Sequence, residues 1–271
     1  MESSIDIGWW QLTAFMSVLL IPLAINLKLQ LKLGREISIA VIRMTVQLIL
    51  VGLYLEFLFS LNSLFINSLW LSIMVLIGAS AIITGAKLPK RALYLPVLTG
   101  LVIGVAPLML ILLLLLLKPQ PLYSAQYLIP LAGMLLGNCL SGNIVALQRL
   151  FNALDEKKME YEGILALGGT PYQGAFPFLQ SALSQSLAPI LASMTSMGLV
   201  TLPGMMTGQI LGGSDPMLAV KYQLIILVAI FVTLTVSVTI SLTLSIKRSI
   251  TDTGLIKIKQ LRLSHQRDKQ I

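Results

Sequence analysis

The chain has 271 residues, of which 56% are hydrophobic and only 11% are charged, and its mean hydropathy is +0.88. This balance excludes an ordinary soluble domain and predicts an integral membrane protein. The net charge of +8 does not indicate a nucleic-acid partner, because the basic residues stand at the ends of apolar runs. The single cysteine, Cys139, excludes an internal disulfide, and the single histidine, His265, excludes a histidine-rich metal site within one chain.

Seven apolar runs are long enough to cross a bilayer as helices, which takes about 20 residues each. We therefore predict an all-α, polytopic membrane protein, with one transmembrane domain over residues 1–250 and a basic tail over 251–271. The predicted spans are 9–27, 37–59, 64–84, 95–117, 127–147, 181–202 and 222–246.

Lysine and arginine gather in the loops after the first, third, fifth and last predicted spans. Because cytoplasmic loops are enriched in these residues, the pattern predicts an amino terminus outside the cell and a cytoplasmic carboxyl tail. The first span is expected to remain as an anchor, because the segment before it is acidic and no small-residue cleavage site follows it. In a bacterium, such a multi-pass protein would lie in the inner or plasma membrane.

The second span carries polar residues that are costly to expose to lipid. Arg43 and Gln47 lie four residues apart and therefore on one face, and Glu56 lies near the other end of the span. Asn138 of the fifth span is a further polar residue at membrane depth. Two interpretations remain open: these side chains line a substrate path, or the charged ones extend to the nearby membrane surface.

Small residues recur at a spacing of four in two spans. Gly100 and Gly104 lie in the fourth span, and Gly133, Gly137 and Ser141 lie in the fifth. Because small residues at this spacing let two helices approach closely, we predict helix packing or dimerisation along these faces.

A polar segment, residues 149–173, separates the fifth and sixth predicted spans and holds four of the eleven acidic residues. Its first half suits a helix, which Gly168 and Gly169 are expected to end, since glycine readily adopts the left-handed conformation that closes a helix. A capping-box pattern that begins at Thr170, with Pro171 at the first helical position, predicts a second helix. The loop charges place the whole segment in the cytoplasm.

Residues 198–216 are rich in glycine and proline, which makes one continuous helix here unfavourable. Irregular backbone at membrane depth is tolerated only where protein or a water-filled cavity surrounds it, so this segment is a candidate part of the substrate path. Its methionines offer soft thioether ligands, and its acidic residue would add an oxygen ligand for a harder ion. The alternative is that the methionines only pack a bent segment, and no metal site is assigned. The candidate residues are Pro203, Gly204, Met205, Met206 and Asp215.

Residues 233–246 read TLTVSVTISLTLSI, and such alternation is typical of a strand. We predict a helix, because a membrane strand needs a closed barrel and no other span alternates. The hydroxyl groups are expected to scatter over all faces of the helix and to donate to the carbonyl four residues back.

The cytoplasmic segment 149–178 resembles the coupling loop of ABC-transporter permeases, in which a glutamate precedes a glycine by six positions, as Glu162 and Gly168 do here. Gly163 and Ile164 replace the two small residues that usually follow the glutamate. The resemblance implies that a separate ABC ATPase would dock on this loop. The implied coupling residues are Glu162, Gly168, Gly169, Thr170 and Pro171.

Longer stretches, among them RMTVQLILVG from Arg43, IPLAGMLLGN from Ile129 and GLVTLPGMMTGQILGGSDP from Gly198, resemble the FetB-type family of iron-export ABC permeases, which includes plant aluminium-tolerance permeases. The resemblance implies a permease that exports iron or another metal ion and works as a homodimer. The chain has no G-x-x-x-x-G-K-[ST] motif, so we expect a non-enzymatic subunit without a catalytic residue or cofactor, and ATP and magnesium on the ATPase partner.

Two other functions fit parts of the pattern. Seven spans with an outside amino terminus also suit a seven-helix receptor or retinal-type protein, although Lys221 stands at the end of the last span instead of its middle. An ATP-independent secondary transporter is the other alternative, although the sequence has no repeated half.

Overall fold

The computed structural model describes residues 8–251 and 253–257, so most of the predicted basic tail, including His265, lies outside the described residues. The described part of the chain is a bundle of helices and contains no β-strand, which confirms the all-α prediction. The helices are α1 (Trp9–Met16), α2 (Leu20–Lys28), α3 (Gly34–Leu61), α4 (Leu64–Gly85), α5 (Lys90–Ile111), α6 (Ala125–Glu156), α7 (Lys158–Ala166), α8 (Pro171–Ser196), α9 (Gly204–Leu211) and α10 (Pro216–Ser249).

Within the described residues, six helical stretches are long and apolar enough to cross a membrane, so the chain is a multi-pass membrane protein. The first combines α1 and α2, which a short 3-10 turn joins, and the fourth combines α5 with the π-helical run Leu112–Leu117. The others are α3, α4, α6 and α10. The predicted span 181–202 corresponds to α8, which is helical but is not one of the six apolar stretches.

Some helices end at other residues than the hydropathy pattern predicts. The helix assigned to 181–202 ends at Ser196, because residues 197–203 turn around Gly198, whose φ is +84°. Helix α10, by contrast, begins before the predicted start at 222. Its first residue is Pro216, and the Asp215 carboxylate accepts a 3.0 Å hydrogen bond from the Leu218 amide. This cap extends the predicted span to 34 residues, about 50 Å at 1.5 Å per residue, with no glycine and no proline after its first position.

The centre of the bundle is the contact between α5 and α10. A Cβ atom added to Gly100 would lie 2.7 Å from the Ser237 carbonyl oxygen, and one on Gly104 would lie 2.9 Å from the Ser237 Cβ. These distances leave no room for a side chain, so the predicted packing role of both glycines is confirmed. The small residues of the fifth predicted span are not all packed against another helix, since Gly137 and Ser141 are exposed in the single chain.

The hydroxyl groups of α10 lie in two rows, so the prediction that they scatter over all faces is wrong. Residues four apart share a helix face, and a sequence that alternates every second residue therefore places its hydroxyls on two opposite faces. One row is buried against α5 and α6, and it consists of Thr233, Ser237, Ser241, Ser245 and Ser249. In the other row, Thr235 and Thr239 donate to the carbonyl four residues back, as predicted.

Helix α3 lies at the edge of the bundle, where it contacts α2 and packs against α6 through its last turns. Leu58 is buried against Ala125 and Ile129, and the ring centroids of Tyr54 and Trp70 are 4.4 Å apart. The preceding turns of α3 are largely exposed in the single chain.

Candidate coupling surface and transport path

The short helix α7 lies between the ends of two long helices. Helix α6 continues to Glu156, and the backbone bends at Lys157, whose φ and ψ are −108° and 36°, before α7 begins. The single helix predicted for the first half of the polar segment is therefore two helices. This bend is what lets α7 fold across the end of the bundle instead of extending α6.

The inner side of α7 is fixed by Tyr161, whose side chain is 1% exposed. Its hydroxyl donates a 2.9 Å hydrogen bond to the carbonyl oxygen of Gly254, in the turn that follows α10. Its ring lies against Gly174 in the first turns of α8, where an added Cβ would be 3.0 Å from two ring carbons. Tyr161 thus attaches α7 to both α8 and the carboxyl end of α10.

The end of α7 needs both glycines that the sequence singles out. Gly168 has a φ of +88°, and its amide donates to the Leu165 carbonyl at 3.0 Å, while the Gly169 amide donates to the Ile164 carbonyl at 2.9 Å. These two bonds form a Schellman motif. A Cβ on Gly169 would lie 2.8 Å from the Ile164 carbonyl oxygen, so a larger residue does not fit there.

The start of α8 has the predicted capping box. The Thr170 hydroxyl accepts a 3.3 Å hydrogen bond from the Gln173 amide, and the Gln173 side chain accepts a 2.8 Å bond from the Thr170 amide. Pro171 occupies the first helical position, where an N–H group would have no hydrogen-bond partner within the helix. The helix, glycine corner and second helix expected from the sequence are therefore present.

The outer side of α7 is apolar and faces away from the bundle. Met159 is 87% exposed and Leu167 is 91% exposed, and a Cβ added to Gly163 would meet no atom within 4 Å. These three residues are four apart, so they form one stripe, which we name the outer stripe of α7. Methionine and leucine so fully exposed beside charged residues are typical of a surface that a partner covers.

Charged side chains flank the outer stripe. Lys158 and Glu162 form an exposed ion pair at 2.8 Å, and their hydrogen bond, followed by the charge of Glu162, raises the pKa of Lys158. Burial raises the pKa of Tyr161, with a smaller contribution from the charge of Glu162. Exposed pairs of this kind add little stability, so these charges are available for contacts with a partner.

The polar residues predicted to line a path on α3 and α6 are exposed in the single chain. Arg43 and Gln47 line a shallow groove on α3 together with Glu36, and Glu56 is exposed nearer the other end of that helix. Asn138 is exposed on α6 and donates a 2.9 Å hydrogen bond to the carbonyl of Met134, one turn earlier. Their role in transport stays a prediction.

The segment 198–216 is broken, as its glycines and prolines predict. Pro203 precedes the short helix α9, which Gly204 begins, and Gly213 with a φ of +88° follows its end. Met206 is partly buried, whereas Asp215 is exposed and its carboxylate is engaged in capping α10.

Met205 lines a cavity of about 580 Å³ between α6, α9 and α10. The same cavity is lined by Met134, Gln209 and two tyrosines, Tyr127 and Tyr222, which the sequence interpretation did not include. Gln209 follows Met205 by four residues, so its helical spacing was the available signal. Arg43 and Gln47 line a separate groove, so the single chain does not unite the two groups of path residues.

Among the described residues, no group of three or more histidine, cysteine, aspartate or glutamate side chains is placed to hold a metal ion. Neutral ligand groups among the residues that line the cavity include the thioethers of Met134 and Met205, the amides of Gln126 and Gln209, and the hydroxyl of Ser214.

Comparison with known proteins identifies relatives over most of the chain. The uncharacterised protein family UPF0014 matches residues 9–250. The UPF0014 membrane protein YjkA of Bacillus subtilis is 35% identical over 80% of this chain and 86% of its own length. Protein ALUMINUM SENSITIVE 3 of Arabidopsis thaliana is 33% identical over 79% of this chain and 77% of its own. The probable iron export permease protein FetB of Escherichia coli is 28% identical over 77% and 79%, respectively. These matches confirm the predicted resemblance, and no solved structure matches the chain.

Proposed function

Because this chain belongs to the UPF0014 family of membrane proteins, we propose that it is the permease subunit of a transporter whose energy comes from a separate ABC-type ATPase. A relative is named as a probable iron export permease, so iron or another metal ion is the proposed substrate and export the proposed direction. ATP and magnesium would bind to the ATPase, and this chain would supply the membrane path.

The observation that carries the proposal is the two-sided character of α7. A segment that transmits force needs an exposed side for the partner and a buried side that moves with the bundle. The outer stripe of α7, with Met159 and Leu167, meets the first requirement, and Tyr161 meets the second. Glu162 lies beside the stripe, where a partner's basic side chain would compete with Lys158 for its carboxylate.

The contacts of Tyr161 indicate how movement of α7 would reach the membrane. A displacement of α7 acts on α8 through Gly174 and on α10 through Gly254. Helix α10 leads directly to the cavity lined by Met205, since Ala219 and Tyr222 line that cavity too. Closure of the ATPase would therefore change the width of a cavity at the opposite end of the bundle.

Introducing negative charge into the outer stripe of α7 tests this proposal. The double substitution Met159→Glu with Leu167→Glu should reduce copurification of the full-length chain with its ATPase by at least tenfold. Thermal unfolding in detergent should stay unchanged, because both side chains are exposed.

Leu199→Glu is the matched control, since Leu199 is 90% exposed but lies in the turn after α8, away from α7. Undiminished copurification of the double variant would contradict the docking surface. Absence of any ATPase that copurifies with the unsubstituted chain would contradict the function itself.

A further inference from the structure

The cavity between α6, α9 and α10 is too large for a single metal ion. Its volume is about 580 Å³. A bound metal ion needs only a few ligand atoms at distances of about 2.0–2.6 Å, whereas cavities that bind small organic molecules measure about 300–1,000 Å³. The size of this cavity therefore matches an organic molecule.

The innermost part of the cavity is apolar, and we name it the floor. It consists of four buried residues that come from the π-helical run, from α6 and from α10, namely Leu112, Leu131, Ala219 and Ile226. All four belong to elements that pack firmly in the bundle, so the shape of the floor is fixed by the fold. A ligand that covers the floor with an apolar body gains free energy in proportion to the apolar area that leaves water.

The outer part of the cavity is mixed in polarity, and we name it the rim. It consists of the exposed residues of the described lining, Gln126, Tyr127, Pro130, Ser214 and Leu218. Three of these five carry an amide or a hydroxyl group. An apolar floor below a rim with polar groups is complementary to an amphipathic molecule, which is apolar at one end and polar at the other.

None of the described residues that line the cavity carries a charged side chain. A buried ion is stable only where an opposite charge or a shell of ligands replaces its hydration. The same lining residues include no histidine, cysteine, aspartate or glutamate, the side chains that commonly bind iron. The cavity therefore favours an uncharged molecule over a bare iron ion.

The wall between the floor and the rim contains an acceptor that lacks a donor. Gln209 lines the cavity one helical turn after Met205. Its Oε1 atom is buried and accepts no hydrogen bond from the part of the chain that the structure describes. A buried acceptor without a donor costs free energy, which an N–H or O–H group of a ligand would recover.

The helix that carries Gln209 is only loosely packed. Helix α9 has eight residues, and none of them is buried in the described chain. Pro203 precedes it, and the turn at Gly213, whose φ is +88°, follows it. A short segment with so few buried contacts can shift toward a ligand without disturbing the long helices that form the floor.

We propose that this cavity binds an uncharged, amphipathic organic molecule whose apolar body covers the floor and whose N–H or O–H group donates to Gln209. The inference goes beyond the proposed metal transport, and it does not depend on an ATPase. A metal ion would use this cavity only when it is enclosed in an uncharged organic chelate. A lipid acyl chain would fit the floor, but it has no donor for Gln209.

A series of photoreactive benzophenones tests the proposal on the full-length chain in lipid membranes. 4-Hydroxybenzophenone is uncharged in mildly acidic buffer and carries an O–H donor, whereas benzophenone itself has no donor. 4-Benzoylbenzoate is the matched anion, and (4-benzoylbenzyl)trimethylammonium is the matched cation. Irradiation attaches each probe to neighbouring C–H groups, and mass spectrometry of the peptides locates the label.

Label on Met134 and Met205 is compared with label around Ile77, which is 63% exposed on α4 and lies outside the lining of the cavity. This ratio removes differences in how much of each probe enters the membrane. The ratio for 4-hydroxybenzophenone should exceed the ratio for each other probe by about fivefold or more, because only this probe is uncharged and has a donor.

Gln209→Leu should lower the ratio for 4-hydroxybenzophenone to that for benzophenone, because leucine fills a similar space but offers no acceptor. Its thermal unfolding should not occur at a lower temperature than that of the unsubstituted chain, since no described group bonds to the lost oxygen. Gln185→Leu is the matched control and should leave the ratio unchanged, because Gln185 is exposed on α8 and its amide bonds to Ser181.

Each of the other outcomes would overturn a defined part of the proposal. Equal ratios for 4-hydroxybenzophenone and benzophenone would contradict recognition of a donor and indicate a lipid chain as the occupant. A preference for the trimethylammonium probe would contradict an uncharged ligand. Label on Met134 and Met205 no higher than around Ile77 with every probe would exclude the cavity as a binding site. Failure to copurify an ATPase changes none of these results, so it would contradict the proposed function alone.

Discussion

The hydroxyl of Tyr161 and the carbonyl oxygen of Gly254 are 2.9 Å apart, although 93 residues separate them along the chain. This hydrogen bond closes the end of the bundle, because it attaches the short helix α7 to the turn that follows α10. Gly254 has a φ of +83°, and a Cβ there would overlap the Leu165 side chain at 2.5 Å. The turn therefore needs glycine both for its backbone conformation and for its contact with α7.

Removal of this hydrogen bond should loosen α7 without unfolding the bundle. Tyr161→Phe is expected to cost about 1 kcal/mol, the usual net worth of one such bond, and Tyr161→Ala about 3–5 kcal/mol, because it also leaves a cavity. Thermal unfolding in detergent measures both, with Tyr172→Phe as control, since Tyr172 is 41% exposed. Equal stability of Tyr161→Phe and Tyr172→Phe would show that the bond contributes nothing.

The raised pKa of Tyr161 predicts a pH dependence of stability. The folded chain keeps the phenol proton to a higher pH than the unfolded chain, in which the pKa of tyrosine is about 10. This contribution is complete below pH 10 and is lost as the pH rises through the folded pKa. The difference in melting temperature between wild type and Tyr161→Phe should therefore shrink as the pH rises above about 10. A difference that stays constant as the pH rises above about 10 would mean that the phenol does not titrate with unfolding.

The contact of α5 with α10 should resist even one added methyl group. Gly100→Ala or Gly104→Ala is expected to destabilise the chain by about 1–3 kcal/mol, because overpacking outweighs the better helix propensity of alanine. Gly52→Ala is the matched control in α3, where an added Cβ meets no atom within 4 Å, and it should stabilise by about 0.5–1 kcal/mol. Thermal unfolding of the three variants in detergent measures these changes in stability. An equal gain in stability for all three variants would contradict the close approach of α5 to α10.

The buried pair Asn143 and Ser237 should show energetic coupling between α6 and α10. The Asn143 amide donates to the Ser237 hydroxyl at 3.0 Å and to the Cys139 carbonyl at 2.8 Å, and both polar side chains are fully buried. A double-mutant cycle of Asn143→Ala and Ser237→Ala should give a coupling of about 1 kcal/mol. The same cycle with Asn138→Ala, whose amide bonds within its own helix, should give about zero.

Local sequence was sufficient for the corner between α7 and α8. Gly168 and Thr170 act through backbone atoms within a few residues, so their motifs are readable without the fold. The contact of Tyr161 with Gly254 could not be predicted from the sequence, because nothing near either residue indicates a partner 93 positions away. The cavity that joins Met134 to Met205 was missed for the same reason.

The apolar pattern predicts seven spans, of which six correspond to apolar helical stretches of the described residues, but it is less informative about the helix ends and about α8. Charged residues outside the membrane carry no penalty, so α6 continues nine residues past the predicted end at 147, to Glu156. The apolar pattern predicts a span over residues 181–202, whereas α8 begins at Pro171 and is not one of the six apolar stretches, because serine, threonine and glutamine along its length lower its mean hydropathy. The burial of individual positions, such as Phe178 against exposed Ser184, shows which side of α8 packs into the bundle.

Several long helices of the bundle contain internal proline: α5 has two, α6 has one and α8 has two. Helix α10 has none after its first residue, and it has no glycine. A helix without such points bends little, so its two ends change position together. The turn held by Tyr161 and the cap formed by Asp215 therefore belong to one stiff element, whereas each proline-containing neighbour has a place where it can flex. In a transport cycle, α10 would keep a fixed length while the helices around it change their curvature.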